Sequence, residues 1–390
     1  MSERTPIDDA LLRAMKHRGD PQADELAADF LEGDSVARFH SAMNARYTSP
    51  EMLDANVAAF LTAHPALPEW ATPARLKNGA DFFALWGVQL GLGLFLQALP
   101  LAYASVEGVQ VLALTSKLET EANRRVLESA QFVLDVTSPG ALEPGQVGYE
   151  TSRHVRLMHA GVRYLIQHDD RIERTPDPDV WPRWDPAWGT PINQQHLLGA
   201  MLSYSSSLLE VLDVLGADYD EIGAADYCLL WNAVGWLLGV DETTLPIERH
   251  EMELLQTKIR RMNEGESDAG RTMTAALLQL VQGYVKLPGF KGLPVTLMRL
   301  FIGDSTADFL AVPKPDWTKV FIRAARHMGH NPGRRHRVLR RAVTWASSRM
   351  MRGFVAHERG DDRPTFSIPT HLDLKVAKHR RVRLRQRSTR

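Results

Sequence analysis

YETSRHVRLMHAGVRYLI, running from Tyr149 to Ile166, is the stretch on which the reading of this chain turns. At about 100° per residue, Leu165, Met158, Val162, Val155, Ile166 and His159 share one arc of about 120°, the width expected of a helix that buries one face. Ser152, Arg163 and Arg156 come next round the wheel, so His159 stands at the border of an apolar face and a cationic one. Such a border suits a ligand that is greasy in its plane and anionic at its rim. Haem has that form: a hydrophobic macrocycle, an iron that takes a neutral imidazole, and two propionates that take arginine. The same spacing also describes a hydrogen-bonded core histidine beside a solvated arginine face. His154 lies about 140° from His159 on that wheel, so one straight helix cannot bring both to one iron.

Outward from this segment, apolar residues at three- and four-residue spacing predict helices over 126–136, 151–167, 194–215, 224–238, 246–262 and 272–285. Strand signals are scarce, and Ser138-Pro139-Gly140, Glu143-Pro144-Gly145 and Leu287-Pro288-Gly289 punctuate the pattern. A loop from His168 to Pro191 carries Trp181, Trp184 and Trp188, too aromatic for a solvated linker. Asn193 reads as an N-cap, which puts His196 in a first turn, exposed or capping, ahead of Leu197, Leu198, Met201 and Leu202. Phe82 to Val106 holds no charged residue and is long enough to span a bilayer. Gln89, Gln97 and Pro100 favour instead a central helix buried by its own fold. Gly87, Gly91 and Gly93 then give that helix a flat surface for a neighbouring helix or a planar ligand. The expected fold is all-α: one large multi-helix domain over 1–370, with globin-like packing around a buried pocket, then a basic tail over 371–390.

The 390 residues are 44% hydrophobic and 24% charged, ordinary globular usage that excludes a disordered or collagen-like chain. Cys228 is the sole cysteine, which excludes an intramolecular disulfide, a CxxC zinc ribbon and a CxxCH attachment, so any haem is held non-covalently. Neither GxxxxGK[ST] nor GxSxG occurs, His250-Glu251 lacks a second histidine four residues on, and no Glu-x-x-His is present. Nucleotide hydrolysis, serine hydrolysis and carboxylate-bridged iron all lose ground. The start, MSERTPIDDALLRAMKHRGD, has no apolar run, and the expected location is cytoplasmic. The net charge of −1 hides an asymmetry: 319–390 carries 20 Lys and Arg against 4 Asp and Glu, +16 there and −17 elsewhere. KVAKHRRVRLRQRSTR, 375–390, has no aromatic residue for base stacking, so the order of expectation is a solvated tail, then contact with an anionic membrane, then specific nucleic-acid binding.

In order along the chain, LPLAYA (99–104), ESAQFVLDVTSPGAL (128–142), YETSRHVRLMHAGVR (149–163), PINQQHLLGAML (191–202), LLWNAVGWLLGV (229–240) and RLFIGDSTADFLAVP (299–313) resemble one family. It is the family of the rubber oxygenase (latex clearing protein) and the mycophenolic-acid-pathway oxygenase catalytic domains, and the resemblance runs from Trp70 to Pro313. It implies an all-helical fold, a non-covalent haem b, and chemistry with O2 on a hydrophobic, isoprenoid-like substrate, either oxidative C=C cleavage or hydroxylation. Residue by residue, it makes His159 in RLMHA the leading iron ligand, with His154 and His196 as alternatives. It gives Arg156 to a propionate or the distal side, with Arg163 beside it, and walls the pocket with Gly87, Gly91, Met201 and Leu202. An acidic base is implied too, for which Glu150 and Glu143 are the nearby carboxylates. The iron-bound lysine of the rubber oxygenase has no counterpart, because no lysine lies between Lys117 and Lys258. The alternative is a non-catalytic helical protein that carries haem or lipid, with His159 as a packing residue.

Overall fold

The uncharged stretch that begins at Phe82 forms the central rod of the molecule. The computed structural model describes residues 7–33, 55–115, 122–168, 184–285 and 289–315. Its helices are α1 (Asp9–Met15), α2 (Pro21–Gly33), α3 (Ala55–Thr62), α4 (Pro73–Gly93), α5 (Leu99–Ala104), α6 (Gly108–Thr115), α7 (Ala122–Thr137) and α8 (Val147–Gln167). There follow α9 (Gln194–Tyr204), α10 (Ser206–Val214), α11 (Glu221–Leu237), α12 (Arg249–Asn263), α13 (Asp268–Tyr284), α14 (Leu293–Ile302) and α15 (Asp304–Phe309). Among the described residues there is no strand, only an isolated antiparallel bridge from Ser105 to Glu264. The fold is therefore all-α, one large helical domain. The basic tail over 371–390 and residues 169–183 of the tryptophan loop lie outside the described residues.

Thr72 caps α4 and Pro73 fills its first turn, where a missing N–H costs nothing. Its main partner is α11, which from Ala224 to Leu237 is apolar apart from Asp226, paired with Arg75, and Asn232, and is buried accordingly. Small residues let the two backbones approach: a Cβ on Gly79 would stand 2.5 Å from the backbone oxygen of Asp226. Further along, Leu94–Ala98 widens into a π turn in which the N–H of Leu99 reaches the oxygen of Leu94. The cause lies two residues on. Pro100 has no N–H to give Leu96, and its ring crowds that carbonyl, so the wider turn relieves the clash and lets the rod continue into α5. Gln97 Nε2 donates to Glu210 Oε2 at 3.2 Å, so this amide has a protein partner. The rod Pro73–Ala104 and the pair Gln194–Val214 are both long and apolar enough to cross a bilayer, with 67% and 61% of their most apolar windows buried inside the fold.

Side chains pack in clusters around this rod. One joins α4, α7, α9 and α11 through Trp86, Phe132, Leu198 and Trp231. A second joins α5, α13 and α14 through Tyr103, Leu277 and Met298, and a third seats α8 on α2 and α3 through Leu157, Phe30 and Phe60. The predicted helices are all present, with ends moved by a few residues. The one expected over 194–215 breaks at Ser205, whose φ and ψ of −108° and −96° turn α9 into α10. Gly140 and Gly145, at φ of 74° and 81°, make the turns that reverse the chain between α7 and α8.

The α4–α11 contact generates a prediction. In Gly79→Ala, better helix propensity stabilises by about 1 kcal/mol, but the added methyl meets backbone that cannot move aside. We expect a net loss of about 1–2 kcal/mol, read as a lower urea midpoint with an unchanged slope.

Candidate ligand and cofactor cavity

Between the clusters the helices leave a cavity of about 380 Å³, within the range of small-molecule and cofactor sites. α8 lines it with Val155, Met158, His159 and Val162, the i, i+3, i+4, i+7 face read from the sequence. Leu165 and Ile166, on the same arc, pack instead with Phe30 and Phe60 of α2 and α3. α9 lines it along most of its length from Gln195 to Tyr204, with His196, Gly199, Ala200, Met201 and Ser203 among its residues, and α12 contributes Gln256, Ile259, Arg260 and Asn263, one helical face. Leu99 and Tyr103 of α5, Val111 of α6, Ser129 and Phe132 of α7 and Trp231 of α11 complete a mostly apolar wall.

Two histidines stand in that wall. Burial, helped by the Arg163 charge, pushes the His159 pKa down to about 4, with Asp20 opposing. Burial, helped by Lys16, pushes His196 down to about 4. Both rings are therefore neutral near pH 7. His159 leaves Nδ1 without a hydrogen-bond partner, and His196 leaves both ring nitrogens without one. Asn193 accepts from the His196 backbone N–H at 2.9 Å, the N-cap expected there, and so fixes residue 196 in the first turn of α9. Its side chain is neither exposed nor capping; it belongs to the cavity.

The other expected site residues are placed as follows. Met201 lines the cavity, whereas Leu202, Gly87 and Gly91 are buried elsewhere in the helical core and form no part of its wall. Arg156 makes a two-pronged pair with Asp20, and Arg163 donates to Asp24 at 2.7 Å and to the Ile192 carbonyl at 2.6 Å. These arginines hold the N-terminal segment and the α9 approach onto α8, and the arginine in the cavity wall is Arg260. Glu150 pairs with His64 at 2.5 Å away from the cavity, and Glu143 is exposed in the turn after α7. His154 is buried on another side of α8. The sequence reading passed over Glu128, a carboxylate only 3% exposed that lines the cavity from α7, four residues before Phe132 on the same face. The sequence carried no signal for it: on the helical wheel Glu128 shares its arc with Arg124, Arg125, Gln131 and Asp135, the polar side, opposite Val126, Ala130 and Val133. Gln256, Asn263 and Glu264 were also passed over, because α12 reads as an amphipathic helix with no motif.

The residues present fit a haem or a comparably flat apolar guest: neutral imidazole with an unmet nitrogen, apolar side chains on several walls, and an arginine among them. A helical protein built around an apolar cavity with a buried imidazole is the class that fold and site define. Residues 76–348 match the family described as "ER-bound oxygenase mpaB/B'/Rubber oxygenase, catalytic domain", and the chain belongs to this family. The rubber oxygenase of Streptomyces sp. (strain K30) is 22% identical over 238 residues, covering 60% of this chain and 54% of that protein, so the chain matches about half the relative's length. A solved structure of latex clearing protein in the closed state superposes with a TM-score of 0.69 at 18% identity, covering 91% of this chain and 95% of that one, and so shares its fold.

Burial of neutral histidine makes stability depend on pH with a definite sign. In the cofactor-free protein, the unfolded chain gains a proton on His196 below its ordinary value of 6.5, while the folded chain gains it only near 4. Stability therefore falls as pH drops from 6.5 to 4, by about 3 kcal/mol from this ring. His196→Phe should flatten that part of the profile; urea midpoints measured at pH 7.0, 5.5 and 4.5 check it.

Proposed function

We propose that this protein is a haem b-dependent oxygenase that acts with O2 on a hydrophobic, isoprenoid-like substrate. The observation that carries the reading is His159, a neutral imidazole with an unpartnered Nδ1 in the wall of an apolar cavity, in a chain that belongs to an oxygenase family. Among the described residues no group of three or more His, Cys, Asp and Glu is placed to hold a bare metal ion. An iron bound here thus takes most of its ligands from outside the protein, as a porphyrin supplies them. When bound, haem supplies the activation of O2.

The chain's own residues do the rest. His159 would offer a ring nitrogen to the iron without first having to lose a proton, and Met158, Val155 and Val162, on the same face of α8, would supply apolar surface to a macrocycle. Leu99, Phe132 and Trp231 keep water from the space where an apolar substrate lies. Arg260 stands in the same wall paired with Glu264, so an anionic rim would meet that ion pair rather than a free cation. Glu128, buried in the α7 wall, replaces Glu150 and Glu143 as the carboxylate placed to take a proton from substrate.

Hemin added to the purified protein should give a Soret band with one haem per chain, lost in His159→Ala. Glu128→Gln should keep the haem and lower turnover about 100-fold or more on an isoprenoid substrate. A preparation that stays colourless with hemin ends the reading.

A further inference from the structure

One end of the cavity is polar in a way that a hydrocarbon cannot use. His196 leaves Nδ1 and Nε2 unpartnered there, and Asn263 leaves Oδ1 unpartnered while its Nδ2 donates to Gln195 Oε1 at 2.8 Å. The two side chains share a neighbourhood. Gln195 precedes His196 on α9, and the N–H of Val106 donates to the Asn263 carbonyl at 2.9 Å. Two residues past Val106, a Cβ on Gly108 would stand 3.9 Å from Cδ2 of His196. Both His196 and Asn263 line the cavity. A buried polar atom left without a partner costs about 1–3 kcal/mol, so such atoms persist where water or a ligand meets them.

The unmet atoms select among ligands. A neutral imidazole offers one N–H and one lone pair, and an amide oxygen only accepts. A carboxylate or phosphate finds little here: Asn263 Oδ1 repels it, Arg260 is already paired with Glu264 on the same wall, and the amine of Lys16 with Glu107 at 2.7 Å. A ketone or aldehyde accepts from the imidazole and leaves Asn263 unmet. A hydroxyl satisfies both, accepting from the imidazole N–H and donating to Oδ1.

We propose that His196 and Asn263 form a binding site for the hydroxyl group of an otherwise apolar ligand, an alcohol-terminated isoprenoid rather than a bare hydrocarbon. This names the substrate class of the cavity and rests on its being the ligand site of the function proposed above.

The test titrates the full-length protein with geraniol and with 2,6-dimethylocta-2,6-diene, the same skeleton without the hydroxyl, by displacement of a bound apolar dye. Geraniol should bind about tenfold or more tightly, the equivalent of about 1.4 kcal/mol. Geranyl methyl ether, which accepts but cannot donate, should fall toward the diene. His196→Phe and Asn263→Leu should each bring the ratio of geraniol to diene affinity, measured within the same variant, down to about one. Equal wild-type affinity for geraniol and the diene overturns the proposal without any variant having to fold. A hydroxyl preference that survives His196→Phe overturns it as well, as does a change of haem spin state in the hemin-loaded variant, which would put that ring on the iron. Hemin uptake reports separately: a protein that prefers geraniol and binds no hemin loses the oxygenase reading and keeps this site.

Discussion

Keeping an imidazole uncharged and unpaired inside a protein is costly, and the cavity depends on the fold bearing that cost twice. His159 and His196 come from different helices, and in both the burial that depresses the pKa is the burial that frees a ring nitrogen for a guest. The surrounding structure supplies the compensation. α4 and α11 pack backbone to backbone at Gly79, and the clusters around Trp86, Met298 and Phe60 fix the helices whose faces line the space. A cavity of this size survives because those helices are held from outside it, by contacts that have nothing to do with its contents.

The helical fold was legible because its apolar residues recur every three or four positions, and because proline and glycine mark the turns between α7 and α8. His159 was legible as a wall residue for the same reason: it shares its face with Val155, Met158 and Val162. The partners of the arginines were not legible. A wheel shows that Arg156 and Arg163 leave the apolar arc, but not that Asp20 and Asp24, far back in the chain, come to meet them. His196 shows the limit most sharply. Asn193 caps the backbone of that turn as expected, yet the ring is covered because the chain around Gly108 and Asn263 folds over it, and neither is near it in sequence.

The shared fold and the cavity wall carry different information. At 18% identity the superposition with latex clearing protein shows that these helices are arranged alike, while the side chains that face the guest belong to this chain. Glu128, His196, Gln256 and Asn263 give its interior a polarity that the apolar stripes alone do not convey. Within one architecture, the side chains of the cavity wall decide what is bound while the backbone stays in place.

The pairs Arg156–Asp20 and Arg163–Asp24 join positions 136 and 139 residues apart. Closing a loop of that size is slow relative to forming the helices inside it, and during synthesis the acidic partners wait until the arginines, 136 and 139 residues on, have been made. The histidine helix is thus locked in register only after it has formed. A guest that encounters the nascent chain before those pairs close meets separate helices rather than a finished chamber.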